Sequence, residues 1–515
     1  MAVNLQNLRN IQLTNEQKKW VKIGLGALAV LAIILIIKAR FVVKESEQGD
    51  FDKMLGISGN KVEDLKDYKT VKGVLNIQSW ETDKGVRVYF SPVKTLPMVD
   101  IEVLFDAGAA RNEGKGGVAY LTNNLLSDGT ATLSADQVAE HFDKVGAQFN
   151  AESQRDMALV HLRSLSDLAQ LVPAVKTLAA ILSAPSFPES GFKREQQNAL
   201  SALKQQQQKP QNVATRAFFN LLYPKQPYSN WVLGDETSIK ALTRKDVKEF
   251  YDKYYTAKNA VVAIVGDLTT QEADAIAQTL TNELPQGEKA PALEKVSDLK
   301  EKAIKKIDFP SSQTTILMGQ PGIKRDDPDF YALMVGNHIL GGNGSVTRIF
   351  DTIRNQHGLA YSAYSYFVPM HERGPFILGC QTRNEQAPKA QALMEGLLKD
   401  FIKDGPTYKE LEQAKQNLMG GYALQFDSNA SICHEIAAMG FYSLPLEYFN
   451  QYKEKISKLT TEDVKDAFQK RISPDKLVIV NVGGTADPTK ANETLKNDLP
   501  KPPHDDITAP GGAQG

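Results

Sequence analysis

The sequence predicts an α+β protein made of two copies of one domain, with a membrane anchor ahead of them. Three observations lead to this prediction: runs with the two-residue period of strands are interspersed with runs of helical period, one helix–strand pair occurs twice, and an apolar run lies near the N-terminus. The 515 residues, 42% of them hydrophobic, suffice for several domains of about 100–200 residues with cores of their own.

Composition excludes some classes of function. The 60 basic and 61 acidic side chains nearly cancel, so no broad positive field is available to hold nucleic acid. The two cysteines, Cys380 and Cys433, are too few for a disulfide framework or a cysteine-based zinc site. We expect them to be buried thiols, with a single structural disulfide as the alternative.

The apolar run predicts a membrane-spanning helix at residues 20–43 behind a short leader, residues 1–19. Ile23 to Ile37 is wholly apolar or glycine, which is marginally long enough to span a bilayer. The basic residues Lys38 and Arg40 follow where a cleaved signal peptide would have small ones, so an uncleaved anchor is favoured. Basic residues on both sides leave the orientation open, although a short leader before a single span is typical of an exported body.

The elements after the anchor follow from local periodicity. Residues 44–70 are charged and lack an apolar period, which suits a stalk. Ser91-Pro92 predicts a turn between the first two strands. Alternating apolar residues predict strands at Gly85–Phe90, Val99–Phe105 and Met157–Leu165, and helical spacing behind a serine cap predicts a helix between Ser134 and Val145.

An internal repeat defines the domains. Ile239–Lys248 matches Ile456–Lys465, and the apolar strand Val261–Gly266 matches Val478–Gly483, with both pairs displaced by the same 217 positions. A helix and the following strand that keep one register indicate two copies of a domain. The predicted boundaries are a first domain at 71–284, a Pro/Lys/Glu-rich linker at 285–306, a second domain at 307–499, and a disordered tail at 500–515.

The segment Arg111–Ala119, followed by Gly129-Thr130, resembles the region that bears the inverted His-x-x-Glu-His zinc motif in pitrilysin, insulinase and mitochondrial-processing-peptidase relatives. The likeness covers roughly residues 71 to 499. It implies that each domain is an antiparallel sheet packed by helices and that the chain is half of a clamshell. It also implies the family's chemistry, in which two histidines and a distant glutamate bind zinc and the intervening glutamate activates the metal-bound water.

The residues at the motif positions cannot perform that chemistry. The two histidine positions hold Tyr120 and Asn124, and the glutamate position holds Asn123. A phenol and two carboxamides are weak zinc ligands, and Asn123 cannot accept a proton as a carboxylate does. The distant glutamate corresponds to Ser201 or Ala202. We therefore expect no metal in this chain.

No other catalytic constellation replaces the missing one. None of the seven histidines has a second histidine four residues away, and His434-Glu435 would need one at Ala438. Glu195 lies about two turns before the third-ligand position and is better explained as a solvated helix residue. The sequence also lacks a Gly-x-Ser-x-Gly elbow.

A glycine-rich loop carries Gly341, Gly342 and Gly344. Its sequence predicts the end of one helix followed by a Ser345 cap for the next. The family resemblance implies a second interpretation, because non-catalytic relatives use a glycine-rich loop at this place to handle substrate.

Arg354 and Tyr361 stand seven residues apart and match the Arg/Tyr pair of active relatives. In those relatives the pair lies across the chamber from the zinc, holds the peptide backbone and helps to stabilise the tetrahedral intermediate. Spacing alone would favour a surface helix arginine and a core tyrosine at the start of a strand. The surrounding Gly-Leu-Ala-Tyr-Ser sequence favours the functional interpretation.

The resemblance therefore implies the zinc-free half of a two-chain peptidase. Some bacterial relatives divide the enzyme between a chain with zinc ligands and a chain with the Arg/Tyr pair. We expect a heterodimer with a zinc-binding His-x-x-Glu-His subunit, acting on unfolded peptides and anchored in a bacterial inner membrane with its bulk in the periplasm. The alternatives are a non-proteolytic scaffold of a membrane assembly and a peptide-binding chaperone.

Overall fold

The computed structural model describes residues 49–484. Residues 49–55 are helical and belong to a unit that ends at residue 58, whereas the chain from residue 59 onwards forms a second compact unit. Within 49–484, no helix combines the length and the apolar character needed to cross a bilayer. The predicted leader, anchor and tail lie outside the described residues.

The first sheet of the second unit has the strand order β1-β2-β3-β7-β4-β6-β5. Neighbouring strands are antiparallel except β3 and β7, which run parallel. The strands are β1 (Lys66–Val71), β2 (Ile77–Glu81), β3 (Arg87–Pro92), β4 (Met98–Phe105), β5 (Gln148–Ser153), β6 (Ala158–Leu165) and β7 (Ala260–Gly266).

The second sheet has the order β10-β11-β9-β12-β8, and only β8 and β12 are parallel. Its strands repeat β3, β7, β4, β6 and β5 one for one, as the internal repeat predicts. The predicted antiparallel pairing holds for every neighbouring pair except one in each sheet, where the last strand of the copy lies beside the first and runs in the same direction. The strands are β8 (Ala303–Ile307), β9 (Gln313–Pro321), β10 (Ala360–Phe367), β11 (Pro375–Arg383) and β12 (Val478–Val482).

Helices cover both sheets. In the first half they are α1 (Val118–Asn124), α2 (Ala135–Lys144), α3 (Leu168–Ser183), α4 (Glu189–Gln207), α5 (Pro210–Leu222), α6 (Glu236–Ala241), α7 (Arg244–Tyr254) and α8 (Thr270–Thr281). In the second half they are α9 (Phe330–Asn337), α10 (Arg348–Phe350), α11 (Ala387–Asp404), α12 (Tyr408–Gly421), α13 (Asn429–Phe441), α14 (Tyr448–Lys458) and α15 (Thr461–Arg471).

The two halves exchange one helix each. α5 of the first half packs on β9 and β12 of the second sheet, and α13 of the second half packs on β3, β4 and β7 of the first. Phe218 and Ala214 of α5 join the core with Val480, while Ile436 of α13 joins the core with Val261. Each sheet therefore has one face buried by its own half and the other by its counterpart.

Most locally predicted elements are confirmed. The three alternating runs are strands, and Ser134 caps α2 through a capping box with Gln137. The turn at Ser91-Pro92 is wrong, because both residues belong to β3.

Two predicted boundaries overlap folded elements. β1 begins inside the segment interpreted as a stalk, and β8 begins inside the linker. Both are mostly exposed, lysine-containing edge strands, so their sequences lack the apolar alternation of buried strands.

Candidate functional site

The helix at the zinc-motif position, α1, lies between β5 and the helices α4 and α7. It starts after Gly117, whose φ of +88° lies in the left-handed region. A Cβ on Gly117 would come within 2.4 Å of Ile239 Cδ1 and 2.7 Å of the Leu233 carbonyl oxygen, so only glycine fits. This close packing around Gly117 fixes the position at which the motif helix starts.

Asn123, at the water-activating position, is a buried cross-link. Its Nδ2 donates to the carbonyl oxygens of Glu152 at 2.7 Å and Leu159 at 3.2 Å, and its Oδ1 accepts from the Tyr255 hydroxyl at 3.0 Å. Its exposed fraction is 0%. The amide is directed into the sheet and uses both donor and acceptor atoms, which a carboxylate could not do.

The remaining motif positions provide no zinc ligands. Asn124 Nδ2 donates to the Tyr120 carbonyl oxygen at 2.9 Å within the same helix. Ala202, on α4 beside α1, has no side-chain donor atom, and the exposed Ser201 hydroxyl donates to the Gln197 carbonyl oxygen at 2.9 Å. Across residues 49–484, no three His, Cys, Asp or Glu side chains are grouped so as to hold a metal ion. This donor set does not fit zinc.

The interpretation of Glu195 as a solvated helix residue is wrong. Its side chain is 17% exposed, and its Oε1 lies 3.4 Å from Arg194 Nε and accepts from Asn198 Nδ2 at 3.1 Å. Arg194 also pairs with Asp128 at 2.5 Å. Glu195 therefore belongs to a local ion-pair network on α4.

The structure brings Arg354 and Tyr361 together on the surface. Arg354 lies in a π-helical turn, Asp351–Gln356, that continues α10, and Tyr361 is the second residue of β10. The Arg354 Cζ atom lies 4.5 Å from the centre of the Tyr361 ring and 4.9 Å from that of Phe350. Tyr361 is 81% exposed, so the interpretation of this residue as a core aromatic is wrong.

Stacking leaves the polar atoms of the pair accessible. A guanidinium that lies over a ring uses its face, so its N–H donors, which lie in its plane, can bind another group. The adjacent Ile353 is fully buried and anchors the turn, while Arg354 itself is exposed. The pair can therefore offer several donors to a carbonyl oxygen that approaches from outside the chain.

Arg348 fixes the segment that leads to Arg354. Its Nε and Nη2 donate to the two carboxylate oxygens of Glu410, each at 2.7 Å, and its Nη2 also donates to the Gly405 carbonyl oxygen at 3.1 Å. Burial opposes ionisation of Glu410, but the hydrogen bonds from Arg348 and Thr407 together outweigh it and lower the pKa of Glu410 to about 2. This two-pronged ion pair joins α10 to the start of α12.

The glycine-rich loop is a π-helical extension of α9, His338–Gly342, followed by a short 3-10 turn, Gly344–Val346. A Cβ on Gly341 or Gly342 would lie 2.5 Å from Ser365 N or Asn337 Nδ2, whereas Gly344 has open space around it. The first two glycines therefore allow close packing. The predicted Ser345 cap is wrong, because Thr347 caps α10 by accepting from Phe350 N.

A buried polar cluster that sequence reasoning missed joins the two halves. Asp156 Oδ1 accepts from the Tyr228 hydroxyl at 2.7 Å, and its Oδ2 accepts from His371 N at 2.8 Å and the Tyr442 hydroxyl at 3.2 Å. Burial raises the pKa of the Asp156 carboxyl. The partners lie 72, 215 and 286 residues away in sequence, so no local pattern could identify the cluster.

Comparison with known proteins agrees with this architecture. The family model described as "Insulinase (Peptidase family M16)" matches residues 89–236, and the one described as "Peptidase M16 inactive domain" matches residues 241–418. The crystal structure of a peptidase M16 inactive domain from Pseudomonas fluorescens is 39% identical, with a TM-score of 0.77, over 80% of this chain and 99% of that chain. The chain belongs to the peptidase M16 family. The resemblance inferred from the motif region is confirmed.

Other similar proteins have diverse names. A Helicobacter pylori protein named "Non-peptidase homolog YmxG" is 26% identical over 74% of this chain and 88% of its own length. A Bacillus subtilis protein named "Uncharacterized zinc protease YmxG" is 25% identical over 69% of this chain and 86% of its own. A chain of complex III2 from Candida albicans, 16% identical, shares the fold with a TM-score of 0.66.

Proposed function

We propose that this M16 chain is the zinc-free, substrate-binding subunit of a two-chain zinc peptidase. In this proposal the partner supplies the His-x-x-Glu-His zinc site, and Arg354 and Tyr361 reach into that site to hold the peptide backbone. The glycines Gly341, Gly342 and Gly344 contribute to the substrate path. In the same proposal the chain carries no cofactor of its own, and the anchor predicted at residues 20–43, outside the described residues, holds the complex at a bacterial inner membrane with the bulk in the periplasm.

One observation carries the proposal. At the motif helix the Asn123 amide is buried and hydrogen-bonded to the sheet, whereas the Arg354 guanidinium and the 81% exposed Tyr361 ring lie 4.5 Å apart on the outside. Exposed stacking is a poor source of stability, but it positions several donors for a group from another molecule. The name of the Helicobacter relative supports the absence of peptidase activity in the isolated chain.

The test is to isolate the chain with its companion from solubilised membranes and to measure peptide hydrolysis. Arg354→Ala should lower the rate by a factor of about 10²–10³ at equal complex concentration, because a donor to the developing oxyanion is lost. Arg354→Lys should recover only part of it, because lysine lacks the planar fork. Arg244→Ala, an exposed arginine on α7, is the control and should leave the rate unchanged.

Three outcomes contradict the proposal. An unchanged rate for Arg354→Ala would favour the scaffold, in which the fold serves a membrane assembly without proteolysis. Chelator-sensitive hydrolysis by the purified chain alone, with stoichiometric metal, would show that it is an enzyme by itself. Tight binding of extended peptides without any peptidase companion would favour a chaperone.

A further inference from the structure

The strand β8 ends the second sheet with an open edge. In the first sheet its counterpart β3 is covered by β2, but within residues 49–484 no strand pairs with the outer side of β8. Ile304 is 54% exposed, and Lys305 and Lys306 are exposed as well. A row of backbone N–H and C=O groups therefore faces outward, as a strand of another chain requires for pairing.

In the first half the corresponding edge, that of β3, is occupied by the strand β2. Ser79 of β2 pairs antiparallel with Tyr89 of β3, and Ile77, two residues earlier, is on the same face. Ile77 is 1% exposed and is packed in a core cluster with Ile436 of α13. β2 thus fills the slot between the edge of the sheet and the helix received from the other half.

The corresponding slot in the second half is an open cleft of about 240 Å³ between β8 and α5. The shared displacement of 217 residues aligns Ala263 with Val480, and their partners Tyr89 and Lys305 therefore correspond. Lys305 and Ile307 line the cleft from β8, and Val213, Arg216, Ala217 and Trp231 are among the residues that line it from the other side.

The side chains that line the cleft indicate which kind of segment it can bind. Ile307, Val213, Ala217 and the Trp231 ring form an apolar floor, while Arg216 and Lys305 supply positive charge; no Asp or Glu is among the described residues that line it. The lysines on β8 disfavour a second copy of this chain, because edge-to-edge pairing would bring like charges together. A heterologous strand with an apolar and an acidic side chain suits the cleft.

We propose that the edge of β8 and the cleft beside it bind an extended segment of another polypeptide as an added antiparallel strand. By correspondence with Ile77 and Ser79, the segment places an apolar residue over Ile307 and, two residues later, an acidic residue against Arg216 and Lys305. Main-chain hydrogen bonds supply binding, and the two side chains supply selectivity. The site does not involve Arg354 or Tyr361, so it stands apart from the proposed peptidase role.

The test uses the full-length chain and a fluorescein-labelled ten-residue peptide of Thr and Val with a central Leu-Thr-Glu, measured by fluorescence anisotropy. Saturable binding is expected. Lys305→Glu should raise the dissociation constant of this peptide about tenfold. A peptide with Lys in place of Glu should bind the Lys305→Glu variant more tightly than the unchanged protein. Lys306→Glu makes the same charge change on the opposite face of β8 and should alter the dissociation constant less than about twofold.

Each contrary outcome overturns the proposal. Equal weakening by Lys305→Glu and Lys306→Glu would mean non-specific charge attraction. Unchanged binding of a peptide with N-methylated backbone amides would exclude strand addition. An absence of binding would mean that the β8 lysines only prevent edge-to-edge aggregation. Unchanged melting temperatures of both variants confirm that they are folded, which is expected because both side chains are exposed.

Discussion

At Asn123 a single amide performs a structural task at the position where active M16 relatives carry a catalytic carboxylate. It donates to two carbonyl oxygens of different strands and accepts from Tyr255, so it ties α1 to β5, β6 and the end of α7. The sequence predicts the loss of the carboxylate directly. It could not predict the bonds, because Glu152, Leu159 and Tyr255 lie far from the motif in sequence.

We predict that Asn123→Asp strongly destabilises the fold. The substitution keeps the size but replaces two donated hydrogen bonds with a buried carboxylate that faces two carbonyl oxygens. A loss of about 3–5 kcal/mol in the free energy of unfolding is expected, as for other uncompensated buried charges. Urea denaturation measures it. Asn124→Asp is the matched control, because that amide makes a single bond within its own helix and is only half-buried, so its effect should be below about 1 kcal/mol.

At the scale of elements, α13 is held to the first sheet by packing and by a contact between two titratable side chains, His434 and Glu102. His434 Nδ1 lies 3.5 Å from Glu102 Oε2 on β4, and the His434 side chain is 40% exposed. The adjacent Glu102 carboxylate raises the pKa of His434 from 6.5 to about 9. A nearby pair, Asp100 and Arg163, lies on the same face of the sheet.

This contact predicts a pH-dependent stability. Because the folded pKa of His434 exceeds its unfolded value, its contribution is fully present below about pH 6.5 and is lost as the pH rises through about 9. Solvent screening at this exposed position limits the change to about 1 kcal/mol. His434→Gln should flatten the decline in urea midpoint between pH 6.5 and 9. If His357→Gln, at an exposed residue, flattened it equally, the assignment to His434 would be wrong.

Elements with a strong apolar period could be predicted from sequence, and those without it could not. β4, β6 and β7 are buried strands whose apolar residues mark them clearly. β1 and β8 are exposed edges whose lysines resemble loop sequence, so their sequences predict a stalk and a linker instead. The π-helical turn at Asp351–Gln356, which places Arg354 beside Tyr361, has no distinct sequence signal because its register depends on tertiary packing.

At the scale of the whole fold, the two halves are held together by the exchange of α5 and α13. The repeat predicts two copies of a domain, but the apolar faces of these helices indicate only that they are buried, not which sheet they cover. Asp156 adds a polar link, since it binds Tyr228 of the first half and Tyr442 of the second. Each half therefore depends on the other for one wall of its core, and the two domains should not unfold separately.

We predict that calorimetry gives one unfolding transition for the chain from residue 59 onwards, and that Gly440→Ala lowers its temperature without splitting it. A Cβ on Gly440 of α13 would lie 2.3 Å from Tyr89 Cε2, so α13 must move off the first sheet at a cost of about 1–3 kcal/mol. Gly396→Ala, in α11, is the control; its Cβ meets nothing within 4 Å, and it should stabilise by about 0.5–1 kcal/mol. Hydrogen exchange should show β7 and β12 opening together in Gly440→Ala. Two endotherms, with β12 as resistant to exchange as in the unchanged protein, would contradict this prediction. They would mean that the two halves unfold independently although they exchange helices.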